Sequence, residues 1–190
     1  MATLTIKPIT LAKTISGNTP QTSFFPIVSG ATFSQGTPMI FGSSGSAGEL
    51  TTAATGSDTS NSSAIVGIST FSSALVDQYG GTFDGTAMNS NTNQNTGVCV
   101  YLANADTVFG GSLSSSLVLS GTGCQIGLAY NLKYDSTTKY WYIDTTSTSN
   151  PTVTVTGVYD PTGGGYWGGS GDTHAYVLFQ FIPAAVYSLI

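Results

Sequence analysis

Residues 125–146 read QIGLAYNLKYDSTTKYWYIDTT and hold four of the ten tyrosines, one of the two tryptophans and two of the four lysines. In the first limb the even positions Ile126, Leu128, Tyr130, Leu132 and Tyr134 are apolar, alternating with Gln125, Gly127, Ala129, Asn131 and Lys133. Period two is the signature of a strand with one face turned inward. A four-residue hairpin loop at DSTT, residues 135–138, would set Tyr134 opposite Lys139, Leu132 opposite Trp141 and Tyr130 opposite Ile143. Directly opposed residues share a face, so Trp141 and Ile143 join the core. The same register places Tyr140 opposite Lys133 and Tyr142 opposite Asn131, facing outward. An odd-length loop would exchange the faces, and Trp141 with Ile143 is the better core pair, which favours the even loop.

The rest of the chain follows this lead. Strong helix formers are scarce while Thr, Val, Tyr and Phe are plentiful. Strands are predicted at 24–28, 38–42, 64–71, 97–103, 106–109, 116–119, 152–159 and 174–182, separated by Gly, Ser, Asn and Asp. Short strands at this spacing predict an all-β fold, a compact sandwich or barrel with long loops. Thr alternates with Val over 152–156, a strand with one wet face. Residues 175–182 are almost continuously apolar, which predicts a central strand buried on both sides. Leu4, Ile6, Ile9 and Leu11 alternate in pieces interrupted by Pro8 and Pro20. This suggests an extended N-terminal arm, residues 1–23, that pairs with something outside a single domain spanning 24–190. Residues 42–49, 55–63 and 79–97 read as loops.

Charged residues make up only 7% of the 190, where about 25% is usual. There is no arginine, and the single glutamate is Glu49. With 25 Ser, 29 Thr and 24 Gly, hydroxyls and backbone must keep the surface wet. A net charge of −5 with no basic cluster argues against nucleic-acid partners and against anionic membrane surfaces. No apolar run approaches the roughly 20 residues of a membrane-spanning helix. The opening MATLTIKPITLAK lacks the apolar core of a signal peptide, so synthesis in a cytoplasm is expected. Cys99 and Cys124 match no metal spacing and are expected to be buried free thiols.

Catalytic and cofactor signals are weak. GGGYWG, 163–168, satisfies G-x-G-x-x-G, but the segment after it reads as a strand and no helix follows to receive a phosphate. A glycine-rich loop displaying Tyr166 and Trp167 is the better reading. The sole histidine, His174, follows Ser170 and Asp172 too closely in sequence to suggest a triad. The carboxylates are scattered as turn formers, with neither acid/base pairing nor calcium-loop spacing. Asn61 in NSS is a glycosylation acceptor only in a secreted chain. No catalytic residue, metal or cofactor is expected.

The order of five phrases then carries a resemblance: FPIVSGATFSQGTPMIF, AIVGIST, GVCVYLANADTVFGGSL, QIGLAYNLKYDSTTKYWYIDTTST and GDTHAYVLFQFIPAAV. Together they cover about two thirds of the chain from residue 24 onward, and they resemble the small β-rich decoration, or cement, proteins of tailed-bacteriophage capsids. The resemblance implies a non-enzymatic virion protein made in the host cytoplasm and bound to the outer surface of the mature head. There it would stabilise the shell against internal DNA pressure, often as a homotrimer. Its partners would be the major capsid protein and sister subunits. Contacts are expected from Leu4, Ile6, Ile9 and Leu11 of the arm, from Phe24, and from Tyr140, Tyr142, Tyr166 and Trp167. The competing expectations are a carbohydrate- or receptor-binding virion surface domain using those exposed aromatics, and a tail structural protein.

Overall fold

The computed structural model describes residues 6–28, 31–42, 48–53, 64–72, 75–76, 82–83, 97–114, 124–158 and 175–187. Nearly all regular structure is β, in two antiparallel sheets stacked as a sandwich that does not close into a barrel. The six-stranded sheet has the order β1-β9-β13-β12-β10-β11. These are Thr10–Thr14, Thr107–Ser112, Tyr176–Phe181, Val153–Val158, Ala129–Asp135 and Tyr140–Asp144. The five-stranded sheet, β2-β8-β5-β3-β4, comprises Thr22–Phe25, Val98–Leu102, Ile65–Ser69, Pro38–Phe41 and Leu50–Thr52. A two-stranded ribbon pairs β6, Leu75–Val76, with β7, Thr82–Phe83, the latter inside the stretch read as one long loop. The strand predicted at 116–119 lies outside the described residues.

Alternation places the main core between the sheets. Phe109, Tyr130, Leu132, Trp141, Ile143, Val153, Val155, Val177, Phe179 and Phe181 are buried there, against Ile65 and Ile68 of the second sheet. Phe109 stacks on Phe179 at 5.8 Å, and Phe181 meets both edge-on. A second core, Ile27, Met39, Leu50, Val66, Val98 and Val100, has Phe25, Phe33 and Phe41 packed against it. Strand β5 is therefore buried on both faces, and its Gly67 admits no side chain: a Cβ there would lie 2.2 Å from the carbonyl oxygen of Tyr101.

Three expectations are corrected. Strand β13 is central, between β9 and β12, but only Val177, Phe179 and Phe181 are buried, while Tyr176, Leu178 and Gln180 are half-exposed on an outer face that carries no second sheet among the described residues. The hairpin loop is 136–139, so the register moves by two: Tyr134 pairs with Trp141, Leu132 with Ile143, Lys133 with Tyr142 and Asp135 with Tyr140. The cause is the Asp135 side chain, which accepts from Thr138 N at 2.8 Å and from the Thr138 hydroxyl, while Lys139 N donates to Asp135 O at 2.8 Å. An even shift preserves the faces, and it brings the Tyr134 and Trp141 rings together at 5.7 Å. Ile126 and Leu128, expected inside, are 46% and 49% exposed. The strand begins only at Ala129, because Gly127, with φ +88°, turns the chain and docks its N–H on Val155 O at 2.7 Å.

The free arm is also corrected over the residues described. Strand β1 pairs antiparallel with β9, and β2 begins at Thr22. Ile9 is only 1% exposed. The hydroxyl of Tyr176 lies 3.0 Å from Pro8 O, 2.8 Å from Gly110 O and 2.9 Å from the Thr10 hydroxyl. Its ring occupies the space over Gly110, where a Cβ would meet it at 2.5 Å. Two prolines interrupt the segment's pattern, but the burial of Ile9, about 1.5–3 kcal/mol for a side chain of this size, favours docking on the chain's own sheet edge.

Candidate docking surface and an adjoining cleft

At one margin of the sandwich, residues 15–21 connect β1 to β2 and are pinned to the corner between β8 and β9. Ile15 N donates to Asp106 O at 2.8 Å, and Ser16 N and Oγ each reach the Asp106 carboxylate at 2.7 Å. These two Ser16 bonds hold the Asp106 carboxyl below its ordinary range. Asn104 Oδ1 accepts from Asp106 N and Thr107 N, while its Nδ2 donates to Gln21 Oε1 at 3.1 Å. The segment is thus fixed by local polar chemistry, and Ile15 is left 62% exposed.

Strands β1 and β2 each have a strand neighbour on one side only, among the described residues. Edge strands present unpaired main-chain donors and acceptors and serve as templates for further pairing. On β2, Phe24 is 50% exposed and sits opposite Cys99. Ile15 and Phe24 therefore flank the connection between two open edges.

The outer face of the β10–β11 hairpin is a second candidate. Lys133 faces Tyr142 across the ribbon and lies 3.6 Å from the buried Asp144 carboxylate. That carboxylate also accepts from Thr146 N and Oγ1 at 3.0 and 2.7 Å. Partial burial pushes the Tyr142 phenol above its ordinary range, with the Lys133 ammonium pulling the other way. Tyr140 and Tyr142 are half-buried.

The predicted contact residues do not form one site. Ile6 and Ile9 are buried, Leu11 is half-buried on β1, and among the described contact residues only Phe24 is substantially exposed. The tyrosine pair lies on β11, the far edge of the six-stranded sheet from β1. Leu4, Tyr166 and Trp167 lie outside the described residues, as do Asn61, His174 and the glycine-rich 163–168. Both cysteines are free; Cys124 is buried, which pushes its thiol up to about 12, whereas Cys99 is half-buried rather than fully so.

Sequence reasoning gave no hint of a cleft of about 300 Å³ beside the hairpin tip. Its walls come from three places. Thr32, Phe33, Ser34 and Thr37 belong to the connection between β2 and β3, and Thr52 to β4. Tyr134, Lys139 and Trp141 come from the hairpin. The first wall is held rigidly: Ser34 O accepts from the Thr37 and Ser69 hydroxyls at 2.7 and 3.0 Å, and Thr37 N donates to Ser69 Oγ at 3.0 Å. No local motif could have announced this cleft, because its residues are separated by about a hundred positions and meet only through sheet stacking. The one local signal is Asp135 followed by Thr138, which sets the turn and so places Lys139.

Comparison with protein-family models, with curated proteins and with solved structures finds no match to this chain.

Proposed function

We propose that the protein is a structural virion component, a cement protein that binds the outside of a mature tailed-phage head and stabilises it, with the major capsid protein and sister subunits, as a trimer, for partners. The observation that carries the reading is the margin formed by β1 and β2: two open strand edges joined by a pinned connection and flanked by exposed Ile15 and Phe24, on a chain with 7% charged residues. Such an edge binds through main-chain hydrogen bonds and apolar area rather than charge, and its specificity comes from the side chains alongside. Repeated attachment over a lattice multiplies weak individual contacts. The specific class is suggested by the resemblance of the phrase order to decoration proteins.

The test is co-sedimentation of the purified protein with expanded, undecorated heads. Ile15→Lys with Phe24→Lys should reduce binding by about tenfold or more, equivalent to 1.4 kcal/mol, while the melting curve stays that of the parent. Undiminished decoration by this variant would remove the margin from the interface, and failure of the parent to bind any head would overturn the proposal itself.

A further inference from the structure

Among the described residues the outer strands of the two large sheets are β1, β11, β2 and β4, and three of these are stopped from pairing further. At β4, Leu50 N donates to Pro26 O at 2.7 Å and Val28 N to Leu50 O at 2.9 Å, so residues 26–28 occupy that edge. At β11, Ser114 N donates to Ile143 O at 2.9 Å beside a parallel bridge from Leu113. Strand β1 is broken by a bulge between Leu11 and Lys13 and carries the exposed Lys13, both devices that blunt an edge. Strand β2 shows none of these. Its register on β8 is unbroken from Thr22 to Phe25, and residues 14–48 carry no charged side chain.

Which main-chain groups of β2 face outward follows from its pairing. Leu102 N donates to Gln21 O at 3.0 Å, which turns Gln21, and with it Ser23 and Phe25, toward β8. Thr22 and Phe24 therefore direct their N–H and C=O groups away from the sheet, and both residues are exposed. Cys99, opposite Phe24, agrees with this phase, because its carbonyl accepts from Thr70 N at 3.0 Å on the far side of β8. Pro20 and Pro26, equally distant from Ser23, bound the segment and have no N–H to give. A strand whose outward groups repeat at this spacing and end at the same limits is β2 itself. With Ser23 opposite Ser23 on a twofold axis, Thr22 of each copy exchanges both main-chain bonds with Phe24 of the other, so every outward donor and acceptor is met. Pro20 then falls opposite Pro26, where no donor is left over. Centring the pair on Phe24 would instead oppose Thr22 to Pro26 and leave the Thr22 carbonyl unmet. Charge points the same way: a chain of net charge −5 meets its own copy at least cost where neither surface is charged.

We infer that β2 pairs antiparallel with β2 of a second copy of this chain, Ser23 lying on the axis, so that two five-stranded sheets become continuous. Directly opposed residues share a face, so Phe24, 50% exposed in the single chain, is covered by Thr22 of the other copy, with the second Phe24 as its diagonal neighbour. A twofold contact uses up the edge and does not propagate into a fibre. The contact is small, so it is weak in dilute solution and gains by repetition over a lattice. The inference rests on the proposed function in treating this margin as an interface, and deepens it by assigning β2 to a sister subunit and leaving β1 and Ile15 for the shell. Being twofold, the contact is separate from those within a trimer.

Sedimentation equilibrium of the full chain tests this and should show self-association with Kd near or below about 1 mM. Thr22→Pro removes an outward N–H without touching a bond to β8, so its melt should follow the parent's while its Kd rises by about tenfold or more. Thr22→Lys, which only adds a charge at an exposed position, should weaken the pair likewise. Ser23→Cys in a Cys99→Ser background brings two thiols to opposed positions with Cα atoms about 4.5 Å apart, a separation that a disulfide spans. Mild oxidation should therefore give a covalent dimer, whereas Gln21→Cys in the same background should give none. A parent that stays monomeric, unchanged association in both Thr22 variants, or equal cross-linking through positions 21 and 23 would overturn the inference. Co-sedimentation with heads separates the two readings: a parent that binds heads but never pairs refutes this contact alone, and one that pairs but binds no head refutes the proposed function alone.

Discussion

Gly36→Ala probes how the N-terminal segment meets the domain. Gly36 has φ +80°, and a Cβ placed on it would lie 2.5 Å from Ile9 N and 2.6 Å from Ile9 O. Both atoms are backbone, so no flexible side chain can move aside. A left-handed conformation destabilises an L-residue by about 1–2 kcal/mol, and forcing atoms into a packed site adds about 1–3 kcal/mol. The expected loss is therefore about 2–5 kcal/mol, against about 5–15 kcal/mol for a typical domain. For a chain of this length each kcal/mol lowers the midpoint by about 2–4 °C. Gly17 provides the control, because it has φ +74° and nothing within 4 Å of its would-be Cβ. Gly17→Ala should show the conformational part alone. Urea and thermal melts of the two variants thus isolate the contact with Ile9 as their difference. Equal losses would show that Ile9 does not lie against Gly36, and with it the docking of residues 6–14 would fall.

Trp141→Ala should destabilise the protein by about 3–5 kcal/mol, as for other buried aromatics, whereas Tyr142→Ala should change the melt by less than about 1 kcal/mol; the reverse ranking would mean that the hairpin faces are exchanged. The Asp106 carboxyl is held below its ordinary range in the folded chain, so its hydrogen bonds to Ser16 stabilise the protein above the unfolded value of about 3.9 and cease to do so as pH falls through the folded one. The melting difference between parent and Asp106→Asn should therefore be larger at pH 6 than at pH 2, and a difference that grows on acidification would contradict the assignment. A thiol-reactive chromogenic disulfide should leave Cys124 unmodified in the native protein, because burial keeps its thiol protonated up to about 12, and should modify it after denaturation; rapid native labelling of Cys124 would refute the burial.

Alternation carries the legible part of this fold. Tyr130, Leu132, Trp141 and Ile143 are buried, as their spacing requires, and Lys133, Tyr140 and Tyr142 lie on the other face. Period two survives a register shift of two residues, so the faces could be read although the pairing could not. Ile126 and Leu128 follow the same alternation yet stand in solvent, because alternation says nothing about where a strand starts and Gly127 ends it. Strand β4, Leu50–Thr52, is too short to leave a pattern of its own.

The N-terminal segment illustrates the opposite limit. Its apolar residues were recognisable as binding surface, but the identity of their partner was not written beside them. That partner is strand β9 and the backbone at Gly36, about 100 and 27 positions away. Removing residues 2–20 would consequently take a strand and a core isoleucine with it, which makes paired surface substitutions the cleaner test of docking.

What the amino-acid sequence determined by itself was the β character, the inward and outward faces of the β10–β11 hairpin, the central place of β13 and a composition rich in hydroxyls. Each depends on spacing and composition within a few residues. Only the tertiary structure decided that β1 pairs with β9, that Ile15 and Phe24 are exposed at the connection between β1 and β2 and on β2, and that residues from β4, a loop and the hairpin line one cleft. The physical reason is that a side chain's period records only which way it points, whereas its partner is chosen by the stacking of sheets whose strands are far apart in the chain.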